Sequence, residues 1–104
     1  MTPSSSATIS APIYSASWDN TSKKFDRDGN LIFTITGFTA QVNEVAVDAD
    51  ENVYTASWDG FVKKFTNGGT QIWARNIGEV MTGVAVDTNG NVYASSNSNN
   101  VYKL

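Results

Sequence analysis

Ten carboxylates and seven lysines or arginines are spread over 104 residues that hold neither histidine nor cysteine. Without histidine there is no imidazole acid, base or metal ligand. Without cysteine there is no thiol nucleophile, disulfide framework or zinc–thiolate site. No glycine-rich phosphate loop is present, and no serine sits in a nucleophile elbow. Chemistry by carboxylates alone stays formally open, but no Asp/Glu pair stands out. The chain is therefore expected not to be an enzyme, with no catalytic residues, no metal and no cofactor.

Recognition chemistry has better candidates, because certain groups occur more than once. Trp18-Asp19 and Trp58-Asp59 stand at the same place in "IYSASWDNTSKKF" (13–25) and "VYTASWDGFVKKF" (53–65). An indole face beside a carboxylate acceptor has the makings of a sugar site between repeats. Alternatively the tryptophans wedge between repeats and the aspartates open hairpin turns, which is the favoured assignment. Asp48 and Asp87 also recur, each where a strand gives way to a turn. They could hold a cation or polar ligand, but capping the turn as an Asx-type bend is favoured. "DRDGN" (26–30), "DADEN" (48–52) and "DTNGN" (87–91) faintly resemble calcium loops. A calcium site needs roughly six to eight oxygens, and an EF-hand loop adds a bidentate glutamate at about its twelfth position. Asp26, Asp28 and Asn30 have no such downstream glutamate, so a structural turn is expected. Lys23, Lys24, Lys63, Lys64 and Lys103 could form an anion-binding circle. Solvated ammonium ends, with aliphatic stems covering apolar surface, are the favoured alternative.

These groups are placed by an internal repeat. Eight of thirteen positions are identical between residues 13–25 and 53–65. The conserved-within-chain positions include Tyr14/Tyr54 and Phe25/Phe65. At an offset of 39, "VAVDADENVY" (45–54) returns as "VAVDTNGNVY" (84–93) with seven of ten identical, which adds Tyr93 to the tyrosine series. A slip between residues 34 and 44 accounts for the change of offset and marks an irregular loop. Runs rich in Val, Ile, Tyr, Phe and Trp alternate with Gly/Asn/Asp clusters, the signature of short strands and hairpin turns. The second copy predicts strands at 44–48, 53–58, 61–65 and 71–75. The first predicts 13–18, 22–25 and 31–35, and the third 83–87, 92–96 and 100–104. No stretch sustains a 3.6-residue period, so helix is not expected.

Four antiparallel strands recurring about every 40 residues is the period of a β-propeller blade. "EVAVDADENVYTASWDGFVKKF" and "GVAVDTNGNVYASSNSNNVYKL" resemble the NHL class of propeller repeat and its bacterial quinoprotein-like relatives over about residues 13–104. The resemblance implies a "GVAVD" innermost strand, a "GNVY" second strand, and a third ending in basic and apolar residues. Where that class usually carries Ala-Asp after the second-strand tyrosine, this chain has Ser-Trp-Asp or Ser-Ser-Asn. A class-typical ligand surface is not implied.

The expected organisation is one all-β partial propeller. It comprises a polar segment (1–12) with "SATIS" as a degenerate first strand, blade 1 (13–43), blade 2 (44–82), and blade 3 (83–104) without its fourth strand. A closed propeller has about four to eight blades. Just under three leave two apolar flanks, and aromatics that each bury roughly 150–250 Å² make such flanks adhesive. The ring is therefore expected to close by homo-oligomerisation, as a dimer of six blades or as a trimer. Exchange of terminal strands would give five blades from two chains. The expected function is a self-assembling structural or protein-interaction module. The alternative is a multivalent small-ligand or glycan-binding propeller using Trp18, Asp19, Trp58 and Asp59.

A formal charge of −3 gives no electrostatic reason to hold a phosphate backbone, so neither nucleic acid nor an anionic membrane is an expected partner. The opening "MTPSSSATISAP" lacks the basic start and apolar run of a secretory signal. No apolar stretch is long enough to span a bilayer.

Overall fold

The computed structural model describes residues 13–26 and 28–104. The expected strand in "SATIS" lies outside them. Ten strands follow in order: β1 Ile13–Ala16, β2 Ser22–Phe25, β3 Leu31–Ile35, β4 Val42–Val47, β5 Val53–Ser57, β6 Phe61–Phe65, β7 Gln71–Asn76, β8 Met81–Val86, β9 Val92–Ser96 and β10 Val101–Lys103. They form three antiparallel meanders: β1-β2-β3, the four-stranded β4-β5-β6-β7, and β8-β9-β10. β2, β3, β6 and β9 occupy the bounds expected from sequence. β4 and β8 begin two residues earlier than expected, because irregularities between Val42 and Glu44 and between Met81 and Gly83 let each strand pair further back. β1 and β5 end before their tryptophans, which belong to the following turns.

Local sequence explains the joints. Four turns are built alike: the N–H of Asp26, Asp48, Thr66 and Asp87 donates to the carbonyl of Asn30, Asn52, Thr70 and Asn91 at 2.9, 3.1, 2.8 and 3.0 Å. The fourth residue of each has positive φ, filled by Gly29 (+86°), Glu51 (+66°), Gly69 (+90°) and Gly90 (+83°). Glycine takes that conformation without steric cost, so Glu51 is the strained member of the set. The slip in the repeat falls in the β3–β4 connection, whose six residues (36–41) compare with four (77–80) between β7 and β8.

The sheets stack through two clusters. Between the first and second lie Ile35, Phe38, Val42, Val53 and Phe65. Between the second and third lie Tyr54, Ala56, Val62, Met81, Val84, Val92 and Ala94. Alternation along the strands therefore assigns each sheet two distinct faces. One, carrying Val53 and Phe65 in the second sheet, meets the preceding sheet. The other, carrying Tyr54, Ala56 and Val62, meets the following one. β5 lies between both neighbours and is buried along its whole length.

Candidate functional site

The recurring aspartates are turn keystones. Asp48 Oδ1 accepts the N–H of Asp50 and of Asn52, both at 2.9 Å, and Oδ2 accepts Asn52 Nδ2 (3.1 Å) and the Tyr54 hydroxyl (2.8 Å). Asp87 repeats the pattern with Asn89, Asn91 and, at 3.4 Å, Tyr93. Burial pulls the Asp48 carboxyl upward, but the bonds from Tyr54 and Asn52 outweigh it and hold the group below its ordinary value. Burial and the Asp48 bond together push the Tyr54 hydroxyl up to about 12. In the third copy, the Asn91 side-chain and backbone bonds keep Asp87 low. In the first copy the repeat register places Thr8 where Asp48 stands, and the buried Tyr14 hydroxyl has no partner among the described residues. Asp26 repeats the turn-capping pattern: Oδ1 accepts the N–H of Asp28 and of Asn30, both at 2.9 Å, and Oδ2 accepts Asn30 Nδ2 at 3.2 Å. Among the described residues, no group of three acidic side chains is placed to hold a metal.

The Ser-Trp-Asp turns give a divided result. Asp59 Oδ1 accepts the Phe61 N–H (3.1 Å) and the Ser57 hydroxyl, and Oδ2 accepts the Thr39 N–H at 3.2 Å. Asp59 thereby ties the hairpin to the incoming β3–β4 loop. Asp19 accepts Thr21 N–H (3.1 Å) and hydroxyl (2.5 Å), with Lys23 Nζ at 3.2 Å. Those bonds, Thr21 foremost, hold its carboxyl well below the usual carboxylate range. Both carboxylates are thus engaged within the chain. The tryptophans do not wedge between sheets: Trp18 is 80% exposed and Trp58 49%. As turn residues they escape the alternation that would send a strand residue into an inter-sheet face.

The third copy reaches the same end by another route. It has Ser98 where Asp59 would fall, and a glutamate from the β7–β8 loop takes over. Glu79 Oε1 accepts the Ser96 hydroxyl at 2.6 Å, Oε2 accepts the Tyr102 hydroxyl at 2.7 Å, and Asn100 Nδ2 bridges both oxygens. The Ser96 bond leads in lowering the Glu79 carboxyl. Sequence reading missed Glu79, which is identical to nothing at the corresponding place in the other copies. Its signal was indirect: an acid in the loop ahead of the one hairpin that lacks an aspartate.

Three of the five lysines, Lys24, Lys63 and Lys64, are engaged by aromatic rings or carbonyls, while Lys103 is exposed as expected. Lys63 is only 8% exposed, with Nζ on the Gly37 carbonyl at 3.0 Å and above the Phe38 ring at 4.7 Å. Lys24 donates to the Asn67 carbonyl at 2.8 Å, joining the first sheet to the second, and lies over Tyr14 and Phe33. Lys64 covers Tyr54, and Lys23 pairs with Asp19. The expectation of freely solvated lysine ends therefore fails at Lys63. Desolvation there is offset by cation–π contact and a carbonyl acceptor.

A last polar link crosses between innermost strands. Glu44 Oε1 accepts the Val84 N–H at 2.9 Å. Gly83 makes room for it, since a Cβ there would fall 2.8 Å from Ser95 Oγ and 3.2 Å from the Glu44 carboxylate. Beyond this link, the outer face of the third sheet carries an open depression of about 200 Å³, lined by Gly83, Ala85, Tyr93, Ser95 and Val101 among others.

No protein-family model matches the sequence, and no curated protein matches it. Among solved structures the chain is similar to the crystal structure of the WD40 beta propeller domain of Doa1. The TM-score is 0.80 at 25% identity, over 89% of this chain and 32% of that one. The chain thus spans about a third of the length of that structure. With three antiparallel meanders and this likeness, the fold is all-β and its sheets are propeller blades. Among the described residues no helix is long and apolar enough to cross a membrane.

Proposed function

We propose that the chain is a non-catalytic propeller module whose main encoded activity is completing a ring with further copies of itself, in NHL-like repeats. One observation carries this reading. Positions buried between blades inside the chain are exposed on its two outer flanks: Ile13 is 53% exposed and its repeat equivalent Val53 0%, while Val101 is 74% exposed and its equivalent Val62 0%. Exposed apolar surface of this kind favours association. The likeness to one stretch of a propeller domain supports blades set at angles compatible with a closed ring. Two copies would supply six blades, inside the range of about four to eight for a closed propeller, whereas three copies would supply nine, beyond it; the dimer is therefore the favoured cyclic solution. Mass measurement of the intact protein in solution, by native mass spectrometry and light scattering, tests it. A dimer is expected, and a monomer at all concentrations refutes the reading.

A second reading, a multivalent small-ligand or glycan-binding propeller, draws support from the exposed indoles of Trp18 and Trp58. With Asp19 and Asp59 committed to their own turns, such a site would bind by stacking alone. Quenching of tryptophan fluorescence across a saccharide panel tests it, and a flat response throughout refutes it.

A further inference from the structure

Resting on the self-assembly reading, we infer that the seam between copies is head-to-tail: the outer face of blade 3 docks on the outer face of blade 1 of a second copy, with Val101 set against Ile13. The argument comes from the chain's own internal seams. The face that meets a preceding blade carries Ile13, Val53 and Val92 in successive copies, at 53%, 0% and 4% exposure. The face that meets a following blade carries Ser22, Val62 and Val101, at 0%, 0% and 74%. Only the two residues without a neighbouring blade stand open. They are also of opposite kind, one from each type of face.

Val62 and Val92 belong to one cluster between blades 2 and 3. Repeat equivalence carries Val62 onto Val101 and Val92 onto Ile13, so a head-to-tail seam would bring the same two positions into one cluster across two chains. Phe25 and the exposed Leu31 flank Ile13 by strand register, and Tyr93 and Ser95 flank Val101. The depression on blade 3 is bounded by Gly83, Ala85, Tyr93, Ser95 and Val101. On blade 2 the equivalent surface includes Ala46, Tyr54, Ala56 and Val62, and blade 3 packs against it. Pairing two blade-3 faces, or two blade-1 faces, has no precedent at either internal seam. The seam departs from the internal ones in one respect: Gly83 stands where blade 2 has Glu44, so the carboxylate link between innermost strands is absent there.

The chain has no cysteine, so engineered thiols report without background. Ile13→Cys and Val101→Cys variants would be refolded separately and as an equimolar mixture, then mildly oxidised at a concentration where the wild-type chain is assembled. The mixture is expected to yield interchain disulfide dimers at least about tenfold faster than either variant alone, because like faces do not meet. Self-linking of either variant as fast as the mixture overturns the head-to-tail seam, as does an assembled protein that forms no 13–101 link. Both results leave association between copies standing and remove only its closure into a ring of blades. A wild-type chain that is monomeric by native mass sinks both.

Discussion

Replacing Tyr54 with phenylalanine removes one oxygen and leaves the ring in place. The ring keeps its packing beside Trp73, at 6.2 Å between centroids, and stays under Lys64. What is lost is the 2.8 Å bond from a hydroxyl on a residue 1% exposed to the Asp48 carboxylate. A hydrogen bond to a charged group contributes about 1.5–3 kcal/mol. For a domain of this size, that lowers the melting temperature by roughly 4–8 °C per kcal/mol. The bond exists only while Tyr54 is protonated and Asp48 ionised, which sets the sign at both ends of the pH scale. Tyr54 is raised from its ordinary 10.0 to about 12, so its contribution is complete below pH 10 and fades as pH rises toward 12. Asp48 is lowered from 3.8, so its contribution is complete above that value and fades as pH falls through the folded value. The difference between wild type and Tyr54→Phe should therefore form a plateau between about pH 4 and pH 10 and shrink on either side. Denaturant unfolding of both proteins at fixed concentration across that range gives the curve, with changes at other groups cancelling in the difference. A loss below about 0.5 kcal/mol at neutral pH refutes the reasoning, as does one that persists undiminished at both extremes.

Three other substitutions probe the packing. Thr55 is fully buried and its hydroxyl finds no partner among the described residues, so Thr55→Val should stabilise by about 1–2 kcal/mol, read as a higher denaturant midpoint. Gly83→Ala should destabilise by about 1–3 kcal/mol, because its methyl would press on Ser95 and on the Glu44 bridge; thermal unfolding checks it. Trp18→Ala should alter stability by no more than about 0.5 kcal/mol, as for an exposed residue, whereas a loss near 3 kcal/mol would place the indole inside a packed interface. Trp58, with a blade on both sides, keeps 49% exposure, so ring closure should bring Trp18 down toward that figure and blue-shift its emission on assembly.

Strands and joints were legible because each obeys a local rule: alternating branched and aromatic residues pair, and Asp-to-Asn segments close on themselves through the backbone. The outward lean of Trp18 and Trp58 was not legible from alternation. β1 and β5 end at Ala16 and Ser57, and beyond them the face of a residue is set by turn geometry. Lys63 was misjudged for a related reason. Charge suggests solvent, but its strand lies between two blades and the Gly37 carbonyl is within reach. Glu79 was invisible because its importance depends on a hairpin some twenty residues further along the chain.

The handover of the carboxylate from Asp59 to Glu79 bears on how such repeats can diverge. A hairpin can do without its own acid where the loop ahead of it supplies another, so loop and hairpin act as one structural unit. Grafting "SSNSNN" from the third copy onto the second would carry away Asp59, leave the Thr39 amide without its acceptor and leave the hydroxyl at position 57 only the backbone carbonyl of residue 61, at 3.4 Å. Moving the "GEV" segment along with it would bring the missing oxygens. Recombination points in this chain are therefore safest within strands and most damaging at the junction between a loop and the hairpin it braces.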